Sequence, residues 1–294
     1  MRIRQALAVG LVTLAPALTG CLTHIRAVPK THPPEVVMSA TLDQLLSQVD
    51  SRFNQFQTIN ATVEIVASEG GARQGQIKEF PSFSGFIFLR KPEHLRVLMR
   101  LPILGSQALD MVSDGKTWKL WVPPKKIAMT GTSEAPDPTQ HGLDSLRPKV
   151  IFDSLLVRGL APDQVVDMTQ DSRVMPDPKD KKQLIEEPDY ELTILEPPQG
   201  QTAHTLRVIH IGRSTLLPYQ QDIYDQNGHV VTQAFYSNYQ YFGDIPFPMK
   251  IEIKRPQDQY GLTITINKLV VNQKLEDDQF ELKFPEGVPI KTVN

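Results

Sequence analysis

One helical stripe comes first, and the period then changes. Leu42, Leu45, Leu46, Val49 and Phe53 recur at three- and four-residue spacing, and Thr41 or Ser39 stands where a cap belongs. The spacing predicts an amphipathic helix over about 41–56. From residue 61 the apolar positions alternate, the signature of strands. Segment 61–67 alternates, and 83–89 and 95–100 flank a turn at 90–93 that contains Pro92. Segments 109–112 and 117–122 flank Asp114-Gly115, a strong hairpin signal, and Pro123-Pro124 ends the second strand. Residues 131–150 read as loop and 150–156 as a short helix. The charged stretch 171–189, with Pro176, Pro178 and Pro188, reads as a solvated loop or the tip of a long hairpin. Strands resume at 190–195, 205–211, 218–224, 230–236, 247–254 and 262–271, with Asn227-Gly228 as a second hairpin turn.

The series predicts a mainly β, α+β fold of about ten or eleven mostly antiparallel strands. One sheet of that size curls to bury a face. The expected architecture is therefore an open half-barrel, with the helix over 41–56 as a lid on its concave face. Several strands are apolar on both sides, so they must be covered on both sides or enclose a greasy cavity. The candidate lining is Phe86, Phe88, Leu95, Val97, Met99, Trp118 and Leu120. For any one of these residues a packed core beneath the helix is an equal alternative. Pro102 and Gly105 bracket two large apolar residues, Ile103 and Leu104, where a tight turn normally carries polar ones.

Chemistry-bearing patterns are sparse. No G-x-S-x-G, H-E-x-x-H or phosphate-cradling glycine run occurs, and the seven histidines are scattered. His210 stands beside Leu206 and Val208 on a strand, a position more often packed than ligating. The expectation is no enzyme, no cofactor and no metal. Lys plus Arg number 31 and Asp plus Glu 33, a balance that argues for no nucleic-acid partner.

The start of the chain is more specific. Arg2 and Arg4 precede an apolar run from residue 6 to 18, and Leu18-Thr19-Gly20 lead to Cys21, the sole cysteine. A charged segment, an apolar segment and small residues before a cut form a secretory signal. The run is short for a membrane span and holds Pro16. A signal ending at a cysteine resembles the lipobox of bacterial lipoproteins. That resemblance implies a signal peptide over 1–20, lipid on the Cys21 thiol, and a Pro-rich flexible tether over 21–40 before a domain at 41–294. Leu22 follows the cysteine where an Asp would imply retention in the inner membrane, which leans toward the outer membrane.

The domain itself resembles a known family. Phe-Gln-Thr-Ile-Asn-Ala-Thr-Val-Glu at 56–64, Phe-Ser-Gly-Phe-Ile-Phe-Leu-Arg-Lys-Pro-Glu-His-Leu-Arg at 83–96 and Ser-Asp-Gly-Lys-Thr-Trp-Lys-Leu-Trp-Val-Pro at 113–123 occur in the order of the periplasmic lipoprotein carriers, LolA. The matching features are Gly85 within a strand, Pro92 in a turn, Arg96 on the next strand and the Asp114-Gly115 hairpin. The lipobox and Leu101-Pro102-Ile103-Leu104-Gly105-Ser106 are closer to the membrane-bound partner, LolB, whose Pro-Leu-Gly loop exposes a leucine. Leu104 matches that leucine, with Ile103 as an additional loop residue. Residues 154–160 are similar to the same receptor's short helix and Gly-Leu step.

What the resemblance implies is a lipid-anchored protein of the cell envelope, facing the periplasm from the outer membrane. It would bind acyl chains of lipoproteins or lipids, receive cargo from a periplasmic carrier protein, and use Ile103 and Leu104 as a membrane-insertion loop. The competing expectation is a structural or envelope-assembly lipoprotein that binds a protein partner without transferring lipid.

Overall fold

A computed structural model describes residues 26–133, 142–197 and 200–293. The signal segment and Cys21 lie outside the described residues. The predicted first helix is α1 (Leu42–Gln55), and Thr41, not Ser39, caps it. The Thr41 hydroxyl accepts from the Gln44 amide at 3.3 Å while the Gln44 side chain accepts from the Thr41 amide at 2.9 Å. This reciprocal box satisfies two amides that the first turn leaves unpaired. The second helix, α2 (Pro148–Leu155), begins on a proline whose missing N–H costs nothing there.

Among the described residues sixteen strands are joined by backbone pairing, more than the ten or eleven expected. They are β1 (Thr31–His32), β2 (Thr58–Gly71), β3 (Gln76–Glu79), β4 (Phe83–Arg90), β5 (His94–Arg100), β6 (Gln107–Ser113), β7 (Thr117–Val122), β8 (Ile127–Thr132), β9 (Val165–Pro176), β10 (Leu184–Leu195), β11 (Thr205–Gly212), β12 (Leu217–Tyr224), β13 (Val230–Phe242), β14 (Ile245–Arg255), β15 (Tyr260–Val271) and β16 (Ile290–Val293). The order is β1-β10-β11-β12-β13-β14-β15-β2-β4-β5-β6-β7-β8-β16, with β3 on β2 and β9 on β10. The path has two free ends, so the sheet is open. Pairing is antiparallel except at β1 with β10 and at β8 with β16, which makes the sheet mixed.

The chain divides into two units. In the smaller, the described residues are 26–34 and 174–186. It holds the tip of the β9–β10 hairpin, where the Asp177 amide bonds the Gln183 carbonyl at 3.0 Å, and β1 alongside Leu184 and Ile185. The charged stretch is thus a hairpin tip, with its flanks in strands. The larger unit spans 35–173 and 187–294. Here the last tether residues are fixed: the Met38 amide donates to the Arg213 carbonyl at 2.8 Å, and the Arg213 Nε donates back to the Met38 carbonyl at 3.0 Å.

Within the larger unit the pairing registers place one set of side chains on a single face. Across β2, β4, β5 and β6 the rows run Ala61, Ile87, Val97 and Met111, and Ile59, Leu89, Leu95 and Ser113. In the other direction Ile65 stands opposite Ile264, which stands opposite Ile251, which stands opposite Tyr236. Both helices pack on this face, which carries two clusters, and α1 reaches both, with Phe53 and the following Phe56 in the cluster of α2. Leu45 and Val49 of α1 pack with Tyr190, Leu192, Ile194, Ile209 and Ile211. Ile151, Phe152 and Leu155 of α2 belong to the larger cluster under β2, β4–β6 and β13–β15. Each fully buried Leu or Ile contributes roughly 1.5–3 kcal/mol.

Candidate functional site

The strand register settles where each proposed lining residue stands. Leu95, Val97 and Met99 are buried on the helix-bearing face, and the rows continue through Ser113 and Met111 to Trp118 and Leu120. Phe86 and Phe88 require a correction. They pair with Leu98 and Arg96, on the opposite face, where their rings stack at 6.2 Å. Alternation is strict, and Gly85, Ile87 and Leu89 occupy the helix-bearing positions of β4, so Phe86 and Phe88 cannot share that face. Gly85 is there because the Leu98 carbonyl lies 2.1 Å from where a Cβ would sit.

Arg96 is also on the opposite face. Its Nε and Nη2 donate to the two oxygens of Asp110 at 3.0 and 2.7 Å, and its Nη1 donates to the Gln279 carbonyl at 3.0 Å. The bidentate pair explains why Asp110, only 2% exposed, is tolerated as a charge. A recess of about 350 Å³ lies nearby, lined by Val112, Trp118, Lys119, Phe280 and Leu282, with Asp114 and Lys283 also in its walls.

A small crevice on the helix-bearing side lies elsewhere. Val49, Phe53 and Phe56 from α1 and its end, Leu155, Leu156 and Val157 from the end of α2, and Tyr236, Tyr239 and Phe247 from the sheet enclose about 40 Å³. Phe56 meets Phe247 edge-on at 5.1 Å. A volume of this size admits about three water-sized groups, far below the roughly 300 Å³ of a small ligand pocket. None of the seven sequence-derived lining residues borders it. The walls come instead from the tail of the helical stripe and from Tyr236, Tyr239 and Pro246-Phe247-Pro248. That dense run of aromatic and proline residues near 236–248 was the available signal.

Ile103 and Leu104 form the tip of the turn between β5 and β6 and project outward, with relative exposures of 104% and 77%. The Gly105 amide donates to the Leu101 carbonyl at 3.0 Å and closes the turn. Ile103 is held at φ +69°, a left-handed conformation that β-branched residues rarely adopt.

Polar groups cluster on the other side of β10–β12. His210 Nδ1 lies 3.1 Å from Glu191 and its Nε2 3.2 Å from Asp222. Burial alone would lower the imidazole pKa, but the bond to Asp222 and the charges of Asp222, Glu191 and Asp189 outweigh it and raise the value. The same bond, with Gln220 and Gln233, outweighs burial at Asp222 and lowers its carboxyl. The sign of the linkage follows. A raised His210 stabilises the fold fully below its unfolded pKa near 6.5 and loses that contribution as pH rises through its folded pKa. A lowered Asp222 stabilises above about 4 and loses its contribution as pH falls through its folded pKa. Stability of His210→Gln, measured by urea denaturation, should therefore lose most against the parent near pH 5–6 and show a smaller deficit at pH 8–9. A deficit that does not change with pH would remove His210 from the linkage. Among the described residues no group of His, Cys, Asp or Glu has the arrangement to hold a metal ion, and no helix is long and apolar enough to cross a membrane.

Comparison with known proteins places the fold. A family model described only as "Uncharacterized protein" matches residues 167–284. No curated protein matches. A LolA superfamily protein from Nitrosomonas europaea has 13% identity and a TM-score of 0.50, covering 83% of this chain and 99% of its own. A DUF1329 family protein from Desulfovibrio piger has 14% identity and a TM-score of 0.50, covering 81% and 94%. A candidate outer membrane lipoprotein-sorting domain from Vibrio parahaemolyticus follows at 11% identity and a TM-score of 0.45, covering 80% and 94%. The chain has a LolA-like fold.

Proposed function

We propose that this chain is a lipid-anchored envelope protein that holds an acyl chain of a lipoprotein or lipid and helps insert it at the outer membrane. The observation that carries the reading is the seam between the helices. α1 packs through Leu45 and Val49 on β10 and β11, while its Phe53 and the following Phe56 join the cluster that holds α2, and the crevice where they meet is walled by Phe53, Phe56, Leu156, Val157 and Phe247. Parting the helices would leave Leu45 and Val49 in place and withdraw Phe53 and Phe56 from the cluster that holds α2. Parting would turn a 40 Å³ crevice into a channel over an apolar sheet, with the sheet as a half-barrel and the helices as its lid. Burial at roughly 25 cal/mol per Å² then supplies affinity without directional contacts, which suits release as well as capture. The LolA-like fold and the exposed Ile103-Leu104 tip support the same reading.

The test is native mass spectrometry of the untagged mature domain followed by lipid extraction. A co-purifying acylated species, or uptake of one after delipidation, is the expected result. A domain that stays empty and takes up no acyl ligand would instead favour the structural lipoprotein.

Anchorage is proposed at Cys21, on the order Leu18-Thr19-Gly20-Cys21 after an apolar run. Two or more chains hold a protein to a bilayer where one does not. Cys21→Ala should abolish labelling by a radioactive fatty acid and move the protein from the membrane to the soluble fraction. Unchanged labelling would place the lipid elsewhere.

A further inference from the structure

The smaller unit differs from the rest of the chain in charge. Its described residues carry five cations, Arg26, Lys30, Lys179, Lys181 and Lys182, against three carboxylates, Asp177, Asp180 and Glu186. The whole chain has 31 basic and 33 acidic residues, so the acidic excess falls on the larger unit.

The three carboxylates are engaged within the unit. Asp177 Oδ1 accepts from the Lys179 amide at 2.7 Å, and its Oδ2 lies 3.4 Å from His32 Nε2. Asp180 accepts from the Lys182 amide at 3.1 Å and from the Gln183 side chain at 3.2 Å. Glu186 Oε2 accepts from the Thr31 hydroxyl at 3.5 Å. These bonds shape the hairpin tip. Among the described residues Lys181 and Lys182 have no carboxylate partner, and both are exposed.

Topology brings the start of the domain to the same place. β1 pairs in parallel with β10, Thr31 opposite Leu184 and His32 opposite Ile185. Leu184 follows the tip directly, so in a parallel pair the chain reaches Thr31 from the tip side, through Arg26 and Lys30. Ten residues separate Cys21 from Thr31, a span of at most about 36 Å. A lipid on Cys21 would therefore hold the tip close to the bilayer.

We infer that the β9–β10 hairpin tip docks on the anionic phospholipid headgroups of the membrane that carries the anchor, with Lys181 and Lys182 as its principal contacts. The inference rests on the Cys21 reading. Within a Debye length of an anionic surface, about 10 Å at 0.1 M salt, each basic side chain raises binding roughly fivefold. The tether supplies a high effective concentration, so a weak contact suffices as a second point of attachment. The contact differs from that of the Ile103-Leu104 tip, which would enter the acyl layer whatever the headgroup charge.

Co-sedimentation of the mature chain carrying Cys21→Ala, so that no lipid contributes, tests it. One set of vesicles holds phosphatidylglycerol and phosphatidylcholine in equal parts, the other phosphatidylcholine alone. Binding should favour the anionic vesicles several-fold or more at low salt and weaken as salt is added. Lys181→Gln with Lys182→Gln should lower binding to the anionic vesicles by about tenfold or more and leave the thermal melt unchanged. Lys125→Gln with Lys126→Gln, an equal change of charge at an exposed turn of the larger unit, should not lower it. Leu104→Ser should weaken binding to both kinds of vesicle and keep the preference. Equal binding to both, binding to neither, or the same loss from both lysine pairs overturns the docking surface. Fatty-acid labelling of the protein with Cys21 intact decides the anchor separately.

Discussion

Leu104→Glu should leave the fold intact and cut delivery of acylated cargo to liposomes by one to two orders of magnitude. The side chain is 77% exposed at a turn tip, so it has little packing to lose, and a change in stability within about 0.5 kcal/mol is expected. What the protein would lose is insertion. Transferring an exposed Leu into an apolar layer gains roughly 1.5–3 kcal/mol, and each 1.4 kcal/mol is a factor of ten. Ile103, more exposed still, supplies a second contact, so the double substitution should lose more than the single one. Cargo binding should persist, because neither residue borders the crevice. The measurement is transfer of a labelled lipoprotein or fatty acid to vesicles, beside a thermal melt. A well-folded variant with normal transfer would take the loop out of the mechanism.

That tip was legible in the sequence because two aliphatic residues stood where turn chemistry asks for polar ones. The Asp114-Gly115 hairpin was legible for the same local reason. The Asp114 carboxylate accepts from the amides of Lys116 and Thr117 at 2.8 and 2.7 Å, a turn that closes on itself whatever surrounds it. The helix over 41–56 needed only its stripe and its cap. Strand β9 was missed because its middle is polar: Asp167, Gln170, Asp171 and Ser172 face solvent, and what holds it is pairing with β10, the packing of Val166 and Met168 on the cluster of Leu192 and Ile209, and the bond from Arg173 Nη2 to Glu187 Oε2 at 2.6 Å. Its polar composition reads as loop until the partner strand is known.

The face of Phe86 and Phe88 failed for a different reason. Both alternating sets of β4 are apolar, so the period is visible while its phase is not, and the phase is fixed only by which residues meet Val97 and Leu95 across the ladder. The crevice itself lies further beyond reach. Each wall is unremarkable in its own segment, and only the meeting of α1 with β13 and β14 brings Phe53, Phe56, Tyr236 and Phe247 together. Local rules read turns and caps, whereas a binding site made of distant residues depends on tertiary register.

Phe247→Ala should produce the largest loss of stability of any substitution considered, and it should do so while enlarging the crevice. Phe247 is 1% exposed, stands on β14 facing the helices and packs edge-on against Phe56 at the end of α1. Removing a fully buried phenyl ring costs about 3–5 kcal/mol, a large fraction of the roughly 5–15 kcal/mol that holds a typical domain together. For a chain of this size each kcal/mol lowers Tm by about 2–4 °C, so a fall on the order of 10 °C is expected in a thermal melt. The emptied space adjoins the existing 40 Å³, at the place where the seam would have to open for an acyl tail. Below its melting temperature the variant should therefore bind a bulkier or branched acyl probe more tightly than the parent does. Phe247→Leu, which keeps most of the volume, should show about half the loss of stability and little gain in binding. A destabilised variant with no change in probe affinity would show that the crevice is core packing and that acyl chains, if bound, lie elsewhere on the sheet.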